Sequence, residues 1–159
     1  MSRTQVGFTL LEVLVAMTTI VVIIGLASAS YSKFNRKETI KQVALTLKAN
    51  LRAIQFKAIN GQKPVNVMCT QLDGYTISFT ASSYTYSATC MPLAGSAPST
   101  SVALPRGVSF SPVPSAILYK VLGKGTDKAS TVDITMRLGT ETYIVQVKPN
   151  GEIVDAGFQ

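Results

Sequence analysis

Histidine and tryptophan are absent from this chain, cysteine occurs twice, and the eight acids are outnumbered by fifteen bases. Without histidine the usual neutral-pH base is missing, and two thiols alone do not complete a zinc site. No metal and no other cofactor is therefore expected. Asp133 and Glu141 lie on opposite sides of a predicted hairpin without an acid partner pattern and read as surface charges. Gly123-Lys124-Gly125-Thr126 lacks the Gly-x-x-x-x-Gly-Lys-Ser/Thr spacing of a phosphate loop and reads as a turn. There is no Asn-x-Ser/Thr sequon, internal repeat or second domain. No catalytic residue is identified, so an enzyme is not expected.

Proline is missing between Phe8 and Lys63, and charge is nearly missing from Phe8 to Tyr31. That run has 24 residues, one interior glycine, Gly25, and one charge, Glu12. As a helix it would measure about 36 Å, against about 30 Å of hydrocarbon in a bilayer. A carboxylate at the centre of such a helix costs roughly 2.5 to 3.5 kcal/mol on insertion scales, so Glu12 is expected to have a partner. A cleavable secretory signal carries its small residues after the apolar stretch. Here Gly7 precedes it. Cleavage beside Gly7 would leave the apolar run on the mature chain as an anchor or assembly element.

Gly7-Phe8-Thr9-Leu10-Leu11-Glu12 resembles the start of a type IV prepilin or type II secretion pseudopilin. The resemblance in motif covers about residues 6 to 30. It implies a leader at 1–7, removed by prepilin peptidase between Gly7 and Phe8, and N-methylation of Phe8. It also implies a single-pass transmembrane and assembly helix at 8–31 in the bacterial inner membrane, with the globular part periplasmic or otherwise extracytoplasmic. The implied partners are the lipid bilayer, an inner-membrane assembly platform and other pilin or pseudopilin subunits, whose terminal amine Glu12 would meet as the filament grows. Burying such a pair offsets two charges that would be costly to leave alone. An ordinary anchor, with Glu12 reaching back to the headgroups, is the competing reading.

The net charge of +7 is unevenly spread. Lys33, Arg36, Lys37, Lys41, Lys48, Arg52 and Lys57 face only Glu38 between residues 33 and 60, while residues 61–159 carry seven bases and six acids. Within that basic segment Ile40, Ala44, Leu47, Leu51, Ile54 and Ala58 recur at steps of three and four, the pattern of an amphipathic helix. Residues 32–60 are thus expected to continue one helix of about 50 residues, stopped by Asn60-Gly61. Lys37, Lys41, Lys48 and Arg52 flank its apolar stripe. A solvated face, contacts with acidic patches on neighbouring subunits, and contacts with a phosphate backbone all fit that stripe. Orientation carries a conflict, because Arg3 and the amino terminus are outnumbered by Lys33, Arg36 and Lys37 beyond the run, against the positive-inside rule.

Residues 61–159 turn to β-rich texture, giving an α+β class in which the long helix packs on an antiparallel β-sheet domain. Expected strands are 64–69, 75–81, 84–89, 101–104, 108–111, 117–121, 131–138, 142–148 and 152–154. Val132, Ile134 and Met136 alternate with polar residues, Gly139-Thr140 suits a tight turn, and Tyr143, Val145 and Val147 form the answering face. The segment 92–98 reads as a loop. Cys69 and Cys90 are candidates for a disulfide outside the cytoplasm, closing a loop of about 20 residues, or for buried free thiols.

Long helix followed by a compact β domain is most similar to the minor pilin and H-type pseudopilin group, whose β domain has two sheets. Some members bind DNA through Gly-Arg-x-Arg near the C-terminus. The equivalent turn here is Gly151-Glu152-Ile153-Val154, without either arginine and with an acid that repels phosphate. A structural subunit of a type IV pilus or type II secretion pseudopilus is the expected function, and a DNA-uptake receptor at a pilus tip is the alternative.

Overall fold

The computed structural model describes residues 9–65, 68–94 and 98–159, with residues 26–30, 68 and 92–94 described by backbone alone. The Gly7–Phe8 bond lies outside the described residues. Two compact units are distinguished, Met1–Arg36 and Lys37–Gln159.

Helix α1 runs from Leu10 to Ile59. Thr9 opens it, its hydroxyl accepting a bond from the Glu12 N–H at 3.3 Å and its carbonyl one from the Val13 N–H at 3.3 Å. The far end closes through Gly61, which takes a positive φ of 58°. Gly61 N–H donates to the Ala58 carbonyl and Gln62 N–H to the Lys57 carbonyl, the paired bonds of a Schellman turn. Asn60-Gly61 therefore stops the helix as its sequence suggests.

Among the described residues no helix is long and apolar enough to cross a membrane. The apolar stretch with described side chains is Leu10 to Gly25, 16 residues, or about 24 Å of helix against about 30 Å of hydrocarbon. Phe8 and the side chains of residues 26–30, which complete the expected 8–31 segment, fall outside the description.

The Lys37–Gln159 unit is α+β, with the second part of α1 packed against two four-stranded antiparallel sheets. The first sheet has the order β3-β2-β1-β5, from β1 (Met68–Phe79), β2 (Ser83–Ala94), β3 (Ser99–Ala103) and β5 (Ile117–Lys120). The second is β4-β6-β7-β8, from β4 (Val108–Phe110), β6 (Val132–Leu138), β7 (Glu141–Val147) and β8 (Ile153–Phe158). The expected β6–β7 hairpin is present, with Val132 opposite Val147, Ile134 opposite Val145 and Met136 opposite Tyr143. Ile40, Leu47, Leu51 and Ile54 from the helix are buried together with Ile77, Ile117, Ile134, Met136 and Val145 from the sheets.

Three strand expectations need correction. The segments 64–69 and 75–81 are not two strands: β1 is one strand from Met68 to Phe79, interrupted only by a bulge between Leu72 and Gly74. Asp73-Gly74 looks like a turn in the sequence, but a bulge absorbs the extra residue without ending the strand. Pro64 and Val65 are not in a strand, and Asn66 and Val67 are outside the described residues. β2 continues to Ala94 through Pro92, into the segment read as a loop, and residues 95–97 are outside the described residues. β8 extends to Phe158 rather than stopping at Val154, pairing with Tyr143 across a second bulge.

Candidate functional site

At the start of α1 an acid lies within an exposed apolar surface. Leu10 is 84% exposed and Ile23 65%, and Glu12, Val13, Ala16, Met17 and Ile20 line a shallow concavity. Burying such side chains stabilises by about 1.5 to 3 kcal/mol each, so a surface of this kind calls for a cover. Glu12 has a local reason to be here as well. With Thr9 as N-cap, Glu12 is the third helical residue, and Thr-x-x-Glu is the capping-box pattern. A carboxylate in the first turn also meets the positive end of the helix dipole. The pattern is legible in Thr9-Leu10-Leu11-Glu12, and reading Glu12 only as a misplaced acid overlooks it. Gly7 and Phe8, the expected cleavage and methylation positions, are outside the described residues.

The basic stripe divides into two pairs. Lys37 and Lys48 are 11 residues apart, as are Lys41 and Arg52. Eleven residues make about three helical turns, so each pair keeps one azimuth, and the second lies about 40° farther from the buried stripe than the first. That offset decides their partners. Lys37 Nζ is 3.8 Å from Glu141 and 5.4 Å from the centroid of the Phe158 ring. Lys48 Nζ is 3.2 Å from Asp155, whose other oxygen accepts a 2.6 Å bond from the Tyr143 hydroxyl. Lys41 and Arg52 are exposed and form no ion pair among the described residues. Leu45 and Phe56, again 11 residues apart, are exposed on the same outer side. That apolar component of the outer face is absent from the sequence reading, although the 11-residue spacing is its signal.

Lys48, Asp155 and Tyr143 join α1 to β7 and β8. The Tyr143 phenol, with help from Lys48, holds the Asp155 carboxyl below its ordinary range. Burial, then the neighbouring carboxylate, pushes Tyr143 up to about 12. Glu141 is also more than a surface charge, since its side chain is only 11% exposed beside Lys37. Asp133 accepts a bond from Gln146 across the hairpin.

Cys69 and Cys90 form a disulfide with 5.4 Å between their Cα atoms, across the β1–β2 hairpin. Glu152 pairs with Lys148 at 3.0 Å, and that hydrogen bond and charge lower its pKa. The acid of the closing turn is thus matched locally. Gly123 ends a short 3-10 helix, Val121–Gly123, that follows β5, and the chain then returns to β5 at Thr126, which bridges to Tyr119. Lys120 N–H donates to the Gly125 carbonyl, and Thr126 is tied by its N–H to Pro149. Gly125 is the position here that demands glycine, with φ of 76° and a Cβ that would collide with the Pro149 carbonyl. Among the described residues no group of three or more cysteine, aspartate or glutamate side chains is placed to hold a metal ion. No protein-family model, curated protein or solved structure matches the chain.

Proposed function

We propose that this chain is a minor pilin or pseudopilin, a structural subunit of a type IV pilus or type II secretion pseudopilus. The observation that carries the reading is the exposed apolar surface of α1 from Leu10 to Ile24 with one acid, Glu12, in its first turn. Lipid covers this surface before assembly, and the equivalent helices of other subunits cover it afterwards. The full apolar run of the sequence, Phe8 to Tyr31, is long enough for a single crossing of the inner membrane. Prepilin peptidase cuts between Gly7 and Phe8 and methylates Phe8, and the assembly platform draws the subunit into the filament. Glu12 then meets the terminal amine of a neighbour.

The outer face of the later helix supports the same reading. Lys41 and Arg52 beside Leu45 and Phe56 combine charge and apolar area as a subunit contact requires, whereas Lys37 and Lys48 serve the domain itself. A DNA receptor at a pilus tip is the weaker reading, because two of the four stripe cations are engaged internally and Glu152 occupies the closing turn. No enzymatic role is assigned. The test is the intact mass of the chain recovered from its own cells. A chain beginning at Phe8 with one added methyl group is expected; a chain retaining residues 1–7, or cut elsewhere, contradicts the reading.

A further inference from the structure

Along the inward row of β2, Tyr84, Ala88 and Cys90 are buried but Tyr86 between them is not. The gap above it is a cavity of about 360 Å³, bounded by the end of α1, the following loop and the β2–β3 side of the first sheet. This lies in the size range of small-molecule pockets, about 300 to 1,000 Å³. Its polar side chains come from Lys57, Gln62, Lys63, Tyr86 and Thr100, and no acid among the described residues lines it. Neither lysine forms an ion pair among the described residues. Lys63 Nζ donates to the Thr70 carbonyl at 2.7 Å, which leaves two of its three hydrogens for another acceptor. The negative end of the helix dipole opposes an anion here, but it amounts to about half a charge against two lysines. The Lys57 and Ala58 carbonyls at that end are already bonded by Gln62 and Gly61.

We propose that this cavity binds a carboxylate-bearing sugar residue. Lys57 and Lys63 hold the carboxylate, the partly exposed Tyr86 ring receives the C–H face of the pyranose, and Gln62 and Thr100, the latter paired with Tyr86 on the same sheet face, bond its hydroxyls. Single-stranded nucleic acid suits the site less well, because it is held by several exposed rings on which successive bases stack. Tyr75, the other ring in the cavity wall, is buried and spends its hydroxyl on the Gln62 carbonyl at 2.7 Å. The site is independent of filament assembly and would serve a subunit whose domain faces outward.

Saturation-transfer NMR on the full chain in detergent micelles tests it, with glucuronate, methyl glucuronide, glucose and a short oligothymidylate as probes. Glucuronate is expected to bind, with glucose and the Lys57→Gln variant each weaker by about tenfold. Arg52→Gln, on the outer helix face, should leave binding unchanged. Methyl glucuronide distinguishes the sources: stronger binding than the free acid assigns the site to a glycan chain end, and weaker binding to a free sugar acid. Three results would overturn the proposal: no transfer to glucuronate at about 10 mM, equal binding of glucose, or equal weakening by Arg52→Gln. Preferential binding of oligothymidylate would assign the cavity to nucleic acid instead.

Discussion

The hydroxyl of Tyr119, in β5, is buried without a hydrogen-bond partner among the described residues, and burial raises its pKa. An unmet buried hydroxyl costs about 1 to 3 kcal/mol, while the ring fills the core as phenylalanine would. Tyr119→Phe should therefore be neutral or stabilising by about 1 kcal/mol in denaturant unfolding of the full chain. A clear loss of stability would mean that the hydroxyl is bonded after all. Glu12 is the opposite case, a polar residue with two roles. It sits where a capping box places glutamate and where an intersubunit charge pair needs it. Glutamine preserves the first role and removes the charge required by the second.

Between elements, Lys48, Asp155 and Tyr143 fasten α1 to the last two strands. Asp155 is held below its unfolded value of about 3.9, so its contribution is present above about pH 4 and lost as pH falls through the lower folded value. Tyr143 is raised from about 10 to about 12, so its contribution is present below about pH 10 and lost as pH rises through about 12. Asp155→Asn should remove the acid limb of the stability–pH curve, lessen but not abolish the alkaline limb that burial of Tyr143 chiefly sets, and cost about 1 to 2 kcal/mol near neutrality. Tyr143→Phe should remove the alkaline limb and flatten the acid limb as well, because its hydroxyl is the first cause of the Asp155 shift. Unchanged limbs in urea unfolding across pH would contradict this.

The helix and the β6–β7 hairpin were legible because each follows one simple period. Ile40, Ala44, Leu47, Leu51, Ile54 and Ala58 are all buried as their spacing indicates, and so are Tyr143, Val145 and Val147. The single strand 68–79 looks in sequence like two, 64–69 and 75–81, because Asp73-Gly74 has turn composition but bulge geometry. Gly74 also pairs with Lys120 of β5, and a Cβ there would collide with the Tyr119 carbonyl. The extension of β8 was hidden by Asp155 and Gly157, residues that disfavour strands locally but are held by Lys48, Tyr143 and a positive φ of 80° at Gly157. At the candidate site the basic stripe was visible, but its division was not. Only the placement of Glu141 and Asp155 separates the inner pair from the outer.

For the molecule as a whole, the reading requires the Lys37–Gln159 unit to lie outside the cytoplasm, although the positive-inside count favours the reverse. Ser82 is exposed in the turn between β1 and β2, and both natural cysteines are joined in the disulfide. A cysteine placed there by Ser82→Cys should react with a membrane-impermeant maleimide once the outer membrane is permeabilised. Reaction only after the inner membrane is opened would reverse the orientation and end the filament reading.

The most direct measurement is the amount of Glu12→Gln chain in filaments isolated from cells that also make the other subunits, compared with the unaltered chain and with Glu12→Ala. Because glutamine keeps the cap, an intersubunit charge pair predicts that Glu12→Gln, like Glu12→Ala, stays in the inner membrane with its leader removed. Incorporation of Glu12→Gln at the level of the unaltered chain would contradict the charge pair and leave Glu12 as a helix cap.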